Sequence, residues 1–108
     1  MAQINLTKAD QGRTVEVPRG TVLVIQLEEN PTTGYRWAVE QADTERLELL
    51  NADYAMAADT GIGGGGGRTF AFRAVHGGTT PLRLKHWRAW EGDASIIERL
   101  QVTVRVLD

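Results

Sequence analysis

Apolar residues in this chain recur mostly at every second position, not at helical spacing. A period of two marks strands with one buried face, because successive side chains of an extended chain point to opposite sides. Val15 and Val17 alternate with Thr14 and Glu16, and Pro18-Arg19-Gly20 follows as a turn. Thr21 to Glu29 reads as a strand buried on both sides or as a central strand of a sandwich, with Leu23, Ile25 and Leu27 on the inner face. Tyr35, Trp37 and Val39 alternate with Arg36, Ala38 and Glu40, which describes a half-buried strand. Phe70, Phe72 and Ala74 repeat the pattern, and so do Leu82 and Leu84. The last run, 96–107, sets Leu100, Val102, Val104 and Val106 on one face and Arg99, Gln101, Thr103 and Arg105 on the other. Segment 42–50 is ambiguous: it fits a helical turn, but its strand neighbours favour a short strand or an irregular crossover.

Strand runs at roughly ten-residue spacing predict an all-β, immunoglobulin-like antiparallel β-sandwich of about seven to eight strands. The chain has 108 residues, so one domain spanning 1–108 is expected, with core enough to fold without cross-links. There are no cysteines, which excludes disulfides, thiol catalysis and zinc-thiolate sites. The core must therefore rest on packing, with Trp37 a candidate for its tryptophan. Twelve basic and fourteen acidic residues give a formal charge of -2, and no basic patch suggests a nucleic-acid partner. The opening Met-Ala-Gln-Ile-Asn-Leu resembles no signal peptide, and no run is long enough for a membrane helix, so no membrane partner is expected. Compartment stays open: periplasmic or secreted for a mature form, cytoplasmic otherwise.

Three connections are too elaborate for their length. Asn30-Pro31-Thr32-Thr33-Gly34-Tyr35 breaks a strand with a stiff turn and returns at once to strand. A rigid loop on a β scaffold is a common way to present a binding surface. The second connection, Thr60-Gly61-Ile62 and then Gly63 to Gly67, reads either as a flexible hairpin or as backbone free to approach another surface closely. Gly61, Gly63 and Gly66 satisfy the spacing of a dinucleotide fingerprint, but they run into a strand where that motif opens a helix. The third connection, His86-Trp87-Arg88-Ala89-Trp90-Glu91-Gly92-Asp93, holds residue types enriched at interface hot spots. Alternation turns Trp87 outward, and Trp90 lies too far into the loop for the core, which makes it a candidate contact residue.

No constellation supports catalysis or a metal, and no cofactor is expected. His76 and His86 are the only histidines and lack carboxylates at ligand spacing. Ser95 is the only serine and has no nucleophile-elbow glycines around it. His86 reads as a strand-end residue with satisfied bonds.

The order Asn-Pro-Thr-Thr-Gly-Tyr, glycine run, Arg-Ala-Trp resembles the chagasin family of cysteine-peptidase inhibitors over about Thr14 to Val106. That family carries an NPTTG-aromatic loop, a GxGG loop and an RPW loop on an immunoglobulin-like sandwich. Asn30, Pro31, Thr32, Thr33, Gly34 and Tyr35 match the first motif. The glycine motif lies on Gly61–Gly64 or, by the register of the following strands, on Gly63, Gly64, Gly65 and Gly66. Arg88 and Trp90 match the third motif, with Ala89 where proline is usual; losing that fixed φ raises the ordering cost of the loop.

The resemblance implies a binding protein and no enzyme. The three loops would gather at one end and enter the cleft of a papain-like cysteine peptidase, with Thr32 and Thr33 over the catalytic Cys-His pair. The glycine loop would pair with the non-primed side as a substrate strand does. Trp90 would pack on an aromatic patch, and Arg88 would add a polar contact. Inhibition would be reversible, competitive and tight, by a monomer, through an interface of about 1,600 Å². The other reading of the same loops is an immunoglobulin-like adhesion or ligand-binding module.

Overall fold

A computed structural model describes residues 2–30, 33–56 and 66–108. Among these, the alternating runs become eight strands: β1 (Gln3–Leu6), β2 (Thr14–Pro18), β3 (Val22–Glu29), β4 (Arg36–Gln41), β5 (Leu47–Met56), β6 (Gly66–Ala74), β7 (Gly78–Trp87) and β8 (Glu98–Leu107). They form two four-stranded sheets, ordered β1-β3-β6-β5 and β2-β8-β7-β4. Pairing is antiparallel except at one edge of each sheet, where β1 lies parallel to β3 and β2 parallel to β8. The expected all-β sandwich is present, and β3 takes the central position between β1 and β6.

The inner faces are those that the alternation marked. Leu23, Ile25 and Leu27 meet Val15, Val17, Phe70, Phe72, Leu82, Leu84, Leu100, Val102, Val104 and Val106 in one buried cluster that includes Trp37. The opposite face of β3 is wet at Gln26 and Glu28, so only one of its faces is fully buried. Each fully buried Leu or Ile side chain is worth roughly 1.5–3 kcal/mol relative to leaving it exposed, which makes this cluster the main source of stability.

Two elements depart from the sequence pattern. β1 is four residues long, too short to show a period, yet Leu6 is fully buried and Ile4 packs on the core. A short 3-10 turn, Lys8–Asp10, ends it; the Asp10 carboxylate accepts from the Thr7 amide and the Thr7 hydroxyl from the Ala9 amide, a capping box. The ambiguous 42–50 segment divides into a turn and then β5. A register shift between Leu49 and Asn51 leaves Leu49 and Leu50 both exposed. That bulge breaks the alternation and explains the mixed signal.

Register places three connections at one end. Glu29 at the close of β3 stands opposite Gly66 at the start of β6, and Gly66 also faces Met56 at the close of β5. Arg36 at the start of β4 faces Trp87 at the close of β7, and His86 faces Glu98 at the start of β8. The β3–β4, β5–β6 and β7–β8 connections therefore leave the sandwich at the same end.

Candidate functional site

Those three connections carry the residues of the three sequence motifs. Asn30, Thr33, Gly34 and Tyr35 lie between β3 and β4; Pro31 and Thr32 fall outside the described residues. Gly66 opens β6, while Gly63, Gly64 and Gly65 fall outside the described residues. Arg88 follows β7, and Ala89 and Trp90 begin a 3-10 turn, Ala89–Glu91.

The β3–β4 connection is closed on itself. The Thr33 amide and hydroxyl both donate to the Asn30 carbonyl, at 3.3 and 2.9 Å. The same hydroxyl accepts from the Tyr35 amide at 3.3 Å. This is the local side-chain-to-backbone bonding by which threonine fixes turns. Gly34 has φ +79, a left-handed conformation that favours glycine. Glycine is needed there for space as well: a Cβ would stand 2.6 Å from Cη2 of Trp90.

The first and third connections are docked. Arg88 donates from Nε and Nη2 to the Thr33 carbonyl, at 3.2 and 3.0 Å, and from Nη1 to Glu91 at 3.2 Å. Its guanidinium lies 4.3 Å from the centre of the Tyr35 ring. Arg88, expected to offer a polar contact to a partner, turns three of its five N–H donors to groups of its own chain. Trp90 rests one ring edge near Gly34 and is otherwise 71% exposed. Ser95, read from the sequence only as a serine without an elbow, shapes this third loop. Its buried hydroxyl accepts from the Arg88 amide at 3.0 Å and lies within bonding distance of the Arg88 and Gly92 carbonyls. Trp87 turns outward as alternation requires, with the Lys85 ammonium 3.3 Å from the centre of its ring.

Below the loops lies a polar layer that the motif reading missed. His86 stacks on Trp37, ring centres 4.8 Å apart and planes 8° from parallel, and meets Tyr35 edge-on at 5.8 Å. Its Nδ1 pairs with Glu98 at 3.1 Å, but Nε2 is buried without a hydrogen-bond partner, so the expectation of satisfied bonds holds for one nitrogen. Glu29 and Arg68 form an ion pair whose side chains are 1% and 16% exposed. The signal for Glu29 was legible: it continues Leu23, Ile25 and Leu27 on the inner face, where a charge needs a partner. An open groove of about 1080 Å³ runs between Glu28, Asn30, Thr33, Tyr35, Gly67 and His86. Among the described residues, no cluster of His, Asp or Glu could hold a metal ion. The site offers an exposed indole, a closed turn and strand-end backbone, which together suit it to binding.

A sandwich whose three loops leave from one end has the architecture of a loop-borne binding protein, in the manner of immunoglobulin domains. Its family is set by comparison: the pattern of the chagasin family peptidase inhibitor I42 matches residues 16–104, and the chain belongs to that family. It is therefore a peptidase inhibitor and not an enzyme. Chagasin of Trypanosoma cruzi is 31% identical over 104 residues, 93% of this chain and 94% of chagasin. Among solved structures, a cysteine protease inhibitor from Entamoeba histolytica superposes with a TM-score of 0.90 at 25% identity, covering 99% of this chain and 97% of that one. Amebosin superposes with a TM-score of 0.74 at 27% identity, covering 99% and 100%.

Proposed function

We propose that this chain, acting as a monomer built from one domain, inhibits papain-like cysteine peptidases by filling the active-site cleft with its three loops. Family membership supports the inhibitory function. The observation that carries the mechanism is the docking of Arg88 and Trp90 onto Thr33 and Gly34. It holds Thr33, Gly34, Arg88 and Trp90 together before any partner arrives. Ordering a loop in advance removes part of the entropic cost of association, which favours tight binding.

In this reading Asn30, Pro31, Thr32, Thr33, Gly34 and Tyr35 form the central blade. Thr32 and Thr33 stand nearest the catalytic cysteine. The Thr33 hydroxyl is committed to Asn30 and Tyr35, so its methyl group is what it offers the cleft. Gly63 to Gly66 pair backbone to backbone with the peptidase, as an added strand does. Trp90 anchors the opposite flank, Ala89 shapes its turn, and Arg88 holds that flank to the blade. No bond in the inhibitor is cleaved, so inhibition is reversible and competitive.

Papain with a fluorogenic substrate tests this. The apparent inhibition constant should rise linearly with substrate concentration, as competition requires. An absence of inhibition at micromolar protein, or a constant independent of substrate, contradicts the proposal.

A further inference from the structure

Glu29 borders the groove, but its side chain and that of Arg68 are buried beneath the loops, where a partner has little to touch. Glu29 is the last residue of β3, at the root of the β3–β4 loop. Arg68 is the third residue of β6, two positions beyond Gly66 at the root of the glycine connection. One Glu29 oxygen accepts from the Trp37 amide at 2.7 Å and from Arg68 Nε at 3.0 Å; the other accepts from Arg68 Nη2 at 2.8 Å. Arg68 Nη1 donates to the Ala52 carbonyl at 3.1 Å, and its guanidinium lies 5.7 Å from the centre of the Tyr54 ring. This single pair therefore touches β3, β4, β5 and β6, the four strands whose ends carry the first two loops. It also crosses between sheets, since β4 lies in the sheet opposite β3.

Stability alone is a poor reason for such a pair. Taking two charges out of water offsets most of their attraction, and apolar residues of similar size often serve as well or better. What an apolar pair would not supply is a two-point, directional grip on a backbone amide, a carbonyl and a neighbouring strand. Trp37 lies on β4, which among the described residues pairs only with β7, so an amide directed away from β7 needs an acceptor from elsewhere.

We infer that Glu29 and Arg68 are positioning residues for peptidase binding. They fix the spacing between the roots of the β3–β4 and β5–β6 loops, and so govern affinity without touching the peptidase. The inference rests on the inhibitor reading above.

The test combines inhibition of papain with NMR of the free protein. The paired replacement Glu29→Leu with Arg68→Met keeps the site filled and neutral. It should remain folded while its inhibition constant rises by roughly tenfold, because misplaced binding groups forfeit their contacts. Arg68→Lys keeps the charge but loses the fork, and should weaken inhibition by about threefold. The amide signals of Thr33 and Gly34 and the Trp90 indole signal should shift in both. Val104→Ala, a cut in the core away from the loops, should lower Tm while leaving the constant and those signals unchanged. That control separates positioning from stability. A folded paired variant with the parent's constant and unshifted loop signals overturns the inference. If the paired variant does not fold, Arg68→Lys decides, and an unchanged constant overturns the inference. If the parent itself fails to inhibit papain, the inhibitor reading falls, and the loop signals alone decide whether the pair positions the loops.

Discussion

Each end of the sandwich holds its loops with an arginine, but the two arginines hold different things. At one end Arg46 pairs with Asp43, three residues back, and donates from Nε to the Gly77 carbonyl at 3.1 Å. At the other end Arg88 pairs with Glu91, three residues ahead, and donates to the Thr33 carbonyl. Around Arg46 the chain closes with backbone bonds: Arg19 to Leu107, Gly20 to Ala74 and Val75 to Arg46. Leu47 and Ala74 there are fully buried. Around Arg88 the chain leaves Trp90 displayed, keeps Tyr35 under the guanidinium, and turns a glycine φ and a threonine hydroxyl to shaping one short loop. The same clamp thus seals one end and presents the other. Among the described residues, the loop end displays a large aromatic group, Trp90, against its neighbour Gly34.

The two ends should differ most at the displayed residues. Trp90→Ala and, separately, Thr33→Arg should each weaken inhibition by about tenfold or more, as truncation or obstruction of an interface anchor does. Thermal unfolding should be nearly unchanged with Trp90→Ala, whose side chain is largely exposed, and slightly lowered with Thr33→Arg, which loses the hydroxyl that bonds Asn30 and Tyr35. The two arginines come next. Arg88→Ala should weaken inhibition by roughly three- to tenfold, since the first loop loses its hold and must be ordered on binding. Arg46→Ala should lower Tm and leave the inhibition constant alone. Equal effects of both substitutions on inhibition would erase the distinction between the ends.

A smaller change should act in the favourable direction. Arg88 has φ -101 and ψ 110, the extended conformation that a following proline requires. Ala89 opens a 3-10 turn, where proline's fixed φ fits. Ala89→Pro should therefore stabilise the chain by about 0.4–1 kcal/mol. It should also tighten inhibition slightly, read as a slower dissociation rate.

The smallest effect lies at the sealed end and depends on pH. The Arg46 guanidinium, followed by the Glu45 amide, holds the Asp43 carboxyl below its ordinary value. A carboxyl depressed by folding stabilises the fold above its unfolded pKa, and that contribution fades as pH falls through the folded value. Asp43→Asn should thus lower Tm at neutral pH. Its deficit should shrink below about pH 4, where the parent's carboxyl also takes up its proton. Inhibition at neutral pH should not change.

Much of this arrangement was legible in the sequence, for identifiable reasons. Alternation at Leu23-Ile25-Leu27 and at Leu100-Val102-Val104-Val106 placed the inner faces, because a period of two leaves few ways to bury an apolar face. β1 escaped because four residues show no period, and β5 was blurred by its bulge at Leu49. The loop residues stood out by their types. Their mutual docking did not, because the Arg88–Thr33 contact joins positions 55 apart and nothing local encodes it. Glu29 went unread although it continues the inner-face alternation, and its partner Arg68, 39 positions away, could only be found in three dimensions.

If the loop end covers the catalytic centre of a papain-like cysteine peptidase, it must shield the catalytic cysteine. The rate at which iodoacetamide alkylates papain's active-site cysteine, with and without saturating inhibitor, reads this out. The parent protein should protect strongly, and protection should be lost at the same concentration with Thr33→Arg. An alkylation rate unchanged by bound inhibitor would place the contact elsewhere on the peptidase and contradict the account.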